Sequence, residues 1–275
     1  MTRRKQPNSE PETKIYWLFG SNLHMLAYFL GTTEKWYEKQ VRVLEKKVQK
    51  ARKDLSQAGM ELEKLGEKMD HSGLSEVEEK QMDELIDKVE DLGDADLFMP
   101  IEADRFCQFS DLIRVLGLVY LVAIFEGYIA DIVRKILLAY PGMLRSGRQL
   151  TAETVFNLGG RKRVMSYLAE REAEKLRSFP DTVNYFNKKF DINLNDSGVS
   201  AERVVEIMAT RNIHVHNGGK VDHQYLELVK GSKLKVGAYK SITSKYLQAS
   251  FDSIRVLIDF INAEVQRKYF AGQGN

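Results

Sequence analysis

The sequence predicts an all-α protein, an antiparallel coiled-coil hairpin joined to a helical bundle. Three observations carry that expectation. From Val41 the apolar residues Leu44, Val48, Ala51, Leu55, Ala58, Leu62, Leu65 and Met69 alternate spacings of three and four, which is a heptad seam. Helix-length apolar patterns then recur to the C-terminus, each closed by a break such as Pro141-Gly142, Gly159-Gly160 or Asn217-Gly218-Gly219. Only five prolines occur in 275 residues, so little interrupts long helices.

In chain order, residues 1–12 are polar, with Arg3, Arg4 and Lys5 near Pro7 and Pro11, and read as a disordered tail without the apolar run of a secretory signal. Residues 13–32 form a helix rich in apolar and aromatic side chains, with His24 as an interior or boundary histidine. Residues 33–98 are the hairpin. Tyr37 extends its seam backwards, His71-Ser72-Gly73-Leu74 breaks the first helix, and Ser75 with Glu78 makes a capping box for the second, whose seam runs through Met82, Leu85, Val89 and Leu92. The first helix reads as longer than the second, so its excess has to pack on the body or on a second subunit. Its Lys46, Lys47, Lys50, Arg52 and Lys53 read as a solvated face.

Asp94 to Pro100 reads as a junction, and residues 99–275 as the bundle. Ile101 to Ala139 is its long core helix, densest from Leu116 to Phe125. The stretch approaches membrane length only if Glu126 and Asp131 are ignored. A carboxylate in lipid is costly, so the core-helix reading wins and no membrane association is expected. Shorter helices are expected over Thr151 to Leu158, Arg161 to Arg177, Asp181 to Phe190, Val199 to His216 and Val221 to Val229, with an extended or hairpin segment from Lys230 to Thr243 and a closing helix from Ser244 to Tyr269.

Composition excludes some chemistry. A single cysteine, Cys107, leaves no internal disulfide and no cysteine-based zinc site, which fits a reducing, cytoplasmic setting. A net charge of +2 is too mild to mark a nucleic-acid binder, so any RNA affinity has to come from local patches. The best such patch near the core is Arg161-Lys162-Arg163. These cations open a helix, where they oppose the dipole, and phosphate binding is one reason to place them there.

The residues with the most chemistry lie at the end of one helix: Arg211-Asn212-Ile213-His214-Val215-His216, followed by Asn217-Gly218-Gly219. Asn212 and His216 are four apart and share a face, whereas Arg211 and His216 differ by about 140° around the axis. Histidine is the side chain that takes and gives protons near neutral pH, and arginine supplies a permanent charge for a developing oxyanion. His216 is therefore the candidate proton carrier, Arg211 the charge stabiliser and Asn212 the group that orients one or both. His214 competes with His216 for the proton role. His214, His216 and His223 do not make a metal site on this reading, since His-x-His on a helix splays the rings by about 200° and no acidic partner stands at a helical spacing.

This stretch resembles the HEPN superfamily, whose motif is an arginine, commonly a polar residue next, and a histidine after four to six intervening residues. The continuation Asn217-Gly218-Gly219-Lys220-Val221-Asp222 is similar to the RiboL-PSP and MAE-type branches. Phe125-Glu126-Gly127-Tyr128 also resembles the family's first core helix, with Glu126 bracing the motif helix. The resemblance implies an RNase of toxin or phage-defence type that needs no metal or other cofactor, in which a homodimer brings two motifs over one scissile phosphate. The chain lacks the tyrosine, shortly after the motif histidine, of the branch paired with nucleotidyltransferase antitoxins. An antitoxin or other protein partner recruited through the coiled coil remains an expectation, as does RNA itself. The alternative reading is a non-catalytic HEPN-fold protein that binds RNA or a protein.

Overall fold

The computed structural model describes residues 13–144, 150–176 and 178–271. The expected N-terminal tail lies outside the described residues. Eight α-helices and no strands make up the described chain, so the protein is all-α. Two very long helices come first, α1 (Thr13–Ser72) and α2 (Glu76–Ala139), then α3 (Ala152–Leu158), α4 (Arg161–Ala173), α5 (Phe179–Phe190), α6 (Ala201–His216), α7 (His223–Leu228) and α8 (Ser244–Val265). The chain divides into two compact units: residues 29–113 form one, and the remainder on either side forms the other.

The unit of residues 29–113 is a helical hairpin. Gly73 turns the chain with φ of 74°, and Glu78 accepts hydrogen bonds from the Ser75 backbone N–H and hydroxyl, the expected capping box. The helices are antiparallel because their partners recede from the turn together: Lys68 pairs with Glu78, Arg52 Nε donates to Asp96 Oδ1 at 2.6 Å, and Tyr37 meets Phe106 and Phe109. The seam residues on α1 alternate with exposed Lys, Glu and Gln as the heptad requires, although Met69 at its end is exposed.

The junction expected at residues 94–100 is absent, because α2 runs straight through it with Pro100 in its interior. The less exposed positions of α2 continue from Leu92 to Asp96, Met99, Ala103, Phe106, Ser110 and Ile113, still at spacings of three and four. Polar side chains at two of those positions hid the continuation. The second helix therefore matches the first in length, with Tyr37 of α1 against Phe106 and Phe109 and, nearer the start of α1, Phe19 against Tyr128. Likewise, residues 13–32 are not a separate helix but the first turns of α1. His24, expected inside, is exposed, and so is Cys107.

The other unit holds the dense core. Leu118, Leu121, Val122, Val133 and Ile136 of α2 are buried with Phe186 and Phe190 of α5, Val204 and Ile207 of α6, and Ile254, Leu257 and Ile261 of α8. Phe125-Glu126-Gly127-Tyr128 is sorted by face. Phe125 packs on Phe179, Gly127 lets the Phe19 ring approach to 3.7 Å of where a Cβ would stand, Tyr128 is fully buried, and Glu126 points out. By length and composition α2 is the single described helix capable of crossing a membrane, and much of its apolar window is buried inside this unit. Arg161 to Arg177 was expected as one helix, but α4 ends at Ala173, and α8 gives way to a π-turn at Gln266–Phe270.

Candidate active site

The motif occupies the last turns of α6. Ser200 caps that helix at its start, its hydroxyl accepting from the Arg203 N–H at 3.2 Å. Val204, Ile207, Ala209, Thr210 and Ile213 bury one face. At the far end Asn217 and Gly219 both donate backbone N–H groups to the Ile213 carbonyl, at 2.8 and 3.0 Å, and Gly218 and Gly219 take φ of 57° and 78°. Thus Asn217-Gly218-Gly219 ends the helix as its residue types require. Val215, between the two histidines, is 49% exposed.

Arg211 leaves the helix toward α2, where its guanidinium is ion-paired with Glu126. Its side chain is 19% exposed, against 46% for Glu126, and the Arg211 Nε is buried without a partner among the described residues. A buried guanidinium donor without a partner is an unmet hydrogen-bonding capacity within the motif. Glu126 therefore contacts the motif arginine directly. Asn212 is exposed and makes no hydrogen bond to a described residue, so within one chain it orients neither Arg211 nor His216.

The two histidines differ completely. His214 is half-buried, and its Nε2 lies 2.8 Å from the Lys240 carbonyl. A carbonyl only accepts, so Nε2 carries the proton. The Tyr239 ring meets the imidazole edge-on at 5.7 Å, and Gly219 closes the other side so tightly that a Cβ there would stand 2.5 Å from Tyr239 and 2.8 Å from His214. Burial, more than any neighbour, holds the His214 pKa below the ordinary imidazole range. His214 is a fixed peg. His216, two residues on, is exposed at the helix end, and its ring has no hydrogen-bond partner among the described residues.

The segment that pins His214 was read from sequence as extended or hairpin. It is irregular and pairs with the chain after α6 rather than with itself. Lys220 and Tyr239 form an isolated antiparallel bridge, Val221 N–H donates to the Ala238 carbonyl at 2.9 Å, and Lys240 N–H to the Gly219 carbonyl at 2.9 Å. Ala209, Ile213, Val221 and Tyr225 form a small apolar cluster under this segment. His223 is exposed at the start of α7, apart from that cluster, and among the described residues no three metal-ligating side chains gather.

Sequence reasoning missed a polar network behind the motif. Glu206 accepts from Arg203 at 2.6 Å and from the Tyr246 hydroxyl at 2.9 Å, and Lys240 Nζ lies 3.1 Å from its other oxygen. Both Arg203 and Lys240 sit 4.8 Å from the Tyr246 ring centre. Burial first, then the Glu206 charge, pushes the Tyr246 hydroxyl pKa up, so this phenol stays protonated and donates. Lys240 thereby fastens its own loop to α6 twice, by its amine to Glu206 and by its carbonyl to His214. The spacing Arg203, Glu206, Thr210 on one helix was the available signal.

The structure does not bring the Arg161-Lys162-Arg163 patch to the motif. Those residues are exposed at the start of α4, whereas Ala173 at its end lines a cleft with Glu126 and Met208. The intervening length of α4 is about 18 Å along the axis. Comparison of the chain with protein-family models, with curated proteins and with solved structures found no match.

Proposed function

We propose that the protein is a metal-independent endoribonuclease of HEPN type, acting as a homodimer in a toxin or phage-defence setting. The observation that carries this reading is the division of labour at the end of α6: Arg211 is held in place by Glu126, His214 is committed to the Lys240 carbonyl, and His216 is left free beside them. In the proposed reaction the ribose 2′-oxygen attacks the adjacent phosphorus and the bond to the 5′-oxygen breaks. One His216 takes the 2′-hydroxyl proton and the His216 of the second copy gives a proton to the leaving 5′-oxygen. The products are a 2′,3′-cyclic phosphate and a 5′-hydroxyl. Arg211 lowers the energy of the pentacoordinate phosphorane through the permanent charge of its guanidinium. The pairing of two copies answers the angular mismatch of Arg211 and His216 on one helix and gives Asn212 groups to orient.

The test is incubation of the purified chain with total RNA and tRNA in EDTA. Wild-type protein is expected to leave cyclic phosphate ends. His216→Ala should cut about 10²–10⁴-fold more slowly, the range for loss of a general acid or base. Arg211→Ala should lose about 10²–10³-fold. Equal cutting by wild type and His216→Ala sinks the proposal.

A second reading, a non-catalytic protein-recruiting module, rests on the hairpin unit, where Phe29, Trp36, Phe98, Phe109 and Leu112 are each at least half exposed. It predicts no cleavage by wild type and a partner lost when Trp36 and Phe109 are changed to serine.

A further inference from the structure

Two clefts adjoin on the bundle unit and share Leu176. The first, about 120 Å³, is walled by Phe125, Ile129, Ala173, Phe179 and Met208, with Glu126 among its lining. Its lining is mainly apolar and aromatic, with Thr182 and the Arg211-paired Glu126 as the polar members. Arg211 stands one turn beyond Met208 on α6, so an anion on its guanidinium would lie at the mouth of this cleft. The second, about 370 Å³, runs over the end of α4 and along α5 past Lys175, Tyr185, Lys188 and Lys189.

The charges lining the second cleft leave a small positive excess, Lys175, Lys188 and Lys189 against Glu172 and Asp181. Buried Glu172 is occupied by Lys175 and accepts the Tyr185 hydroxyl at 3.3 Å, and Asp181 is engaged by the Ser178 hydroxyl at 2.7 Å in the cap of α5. Lys188 and Lys189 have no carboxylate partner among the described residues. An apolar slot next to a fixed arginine, continued by the ammonium groups of Lys188 and Lys189, suits a single nucleic-acid strand. Bases take the apolar surface without regard to sequence and phosphates take the cations.

We propose that single-stranded RNA reaches Arg211 along this groove between α4 and α5, with a base beside the scissile phosphate in the Phe125–Phe179 cleft and neighbouring backbone phosphates on Lys188 and Lys189. The inference rests on the ribonuclease reading, and it replaces the Arg161-Lys162-Arg163 patch as the source of RNA affinity.

The test is fluorescence anisotropy of a short labelled RNA whose 2′-oxygens are all methylated, so that it binds without being cut. Wild type is compared with K188E/K189E, the milder K188Q/K189Q, Ala173→Leu and R161E/K162E/R163E, each checked by thermal melting. K188E/K189E should weaken binding at least tenfold. K188Q/K189Q should flatten the dependence of log affinity on log salt by roughly 0.7 for each lysine neutralised. Ala173→Leu fills the apolar slot and should weaken binding with the salt slope intact. Wild-type affinity in K188E/K189E, or loss confined to R161E/K162E/R163E, overturns the groove. Cleavage of unmodified RNA by wild type and by K188E/K189E alike would leave the ribonuclease standing and the groove refuted. Binding through the two lysines with no cleavage would leave the groove standing and the ribonuclease refuted.

Discussion

The hairpin unit and the bundle unit are both all-helical, yet they are held by different means. In residues 29–113 the buried side chains are few, Leu30, Ala51, Ala58 and Leu85 among them, and most of the seam is only half covered because two helices can bury no more than one stripe each. In the bundle, more than a dozen side chains from α2, α5, α6 and α8 are buried almost completely. A periodic seam therefore specifies the hairpin's register without making it strong. The bundle obtains strength and a rigid floor for the motif from contacts that have no period.

The largest test of this contrast is core truncation. Phe186, fully buried and edge-on to Phe190 at 5.3 Å, should cost about 3–5 kcal/mol when changed to alanine. Leu85→Ala in the hairpin should cost about 2 kcal/mol, the bottom of the range for leucine, because its surroundings can collapse into solvent. Chemical denaturation measures both, and equal costs would erase the distinction. Next comes Pro100. A proline inside a helix removes one backbone hydrogen bond and crowds the preceding turn, at about 3 kcal/mol. Pro100→Ala should raise the stability of the hairpin by up to about that amount, seen as slower amide exchange in residues 90–110.

The heptad seam of α1, the hairpin turn and the Asn217-Gly218-Gly219 stop were legible, since each depends on residues within a few positions of one another, whereas the fusion of residues 13–32 into α1 and the early end of α4 were not. The extent of α2 was not, because Asp96, Pro100 and Ser110 mask a seam that continues around them. The motif residues were legible as a cluster but not in their roles. His214 is committed by the carbonyl of Lys240, and a backbone carbonyl far along the chain has no signature in a side-chain pattern.

The loop that commits His214 supplies an intermediate effect. Gly219→Ala places a Cβ against Tyr239 and His214 at a φ of 78°, at a cost of about 1–3 kcal/mol for the backbone alone. It should reduce cleavage as well as stability, because it displaces the segment that fixes the end of α6. His214 also gives a pH signature. Its folded pKa is depressed, so the unfolded chain takes up the proton more readily. The stabilisation is fully present above the unfolded value of about 6.5 and is lost as pH falls through the lower folded value. The melting temperature of wild type should therefore drop on acidification below about pH 6.5 more steeply than that of His214→Gln. Identical slopes would mean that burial of His214 does not select the neutral ring.

The smallest expected effect belongs to the ion pair of Arg52 and Asp96, and it sharpens the account of the hairpin most. Arg52 is 62% exposed and Asp96 31%, so solvent screens the pair despite a 2.6 Å contact. Arg52→Ala should change stability by no more than about 1 kcal/mol, and added salt should leave the hairpin's unfolding almost unmoved. Asp96, by contrast, occupies a seam position, and Asp96→Leu should stabilise the hairpin by extending its apolar stripe toward Phe106. If Asp96→Leu destabilises instead, the pair fixes the register of the two helices, and the hairpin is specified by charge at the position where its sequence pattern breaks.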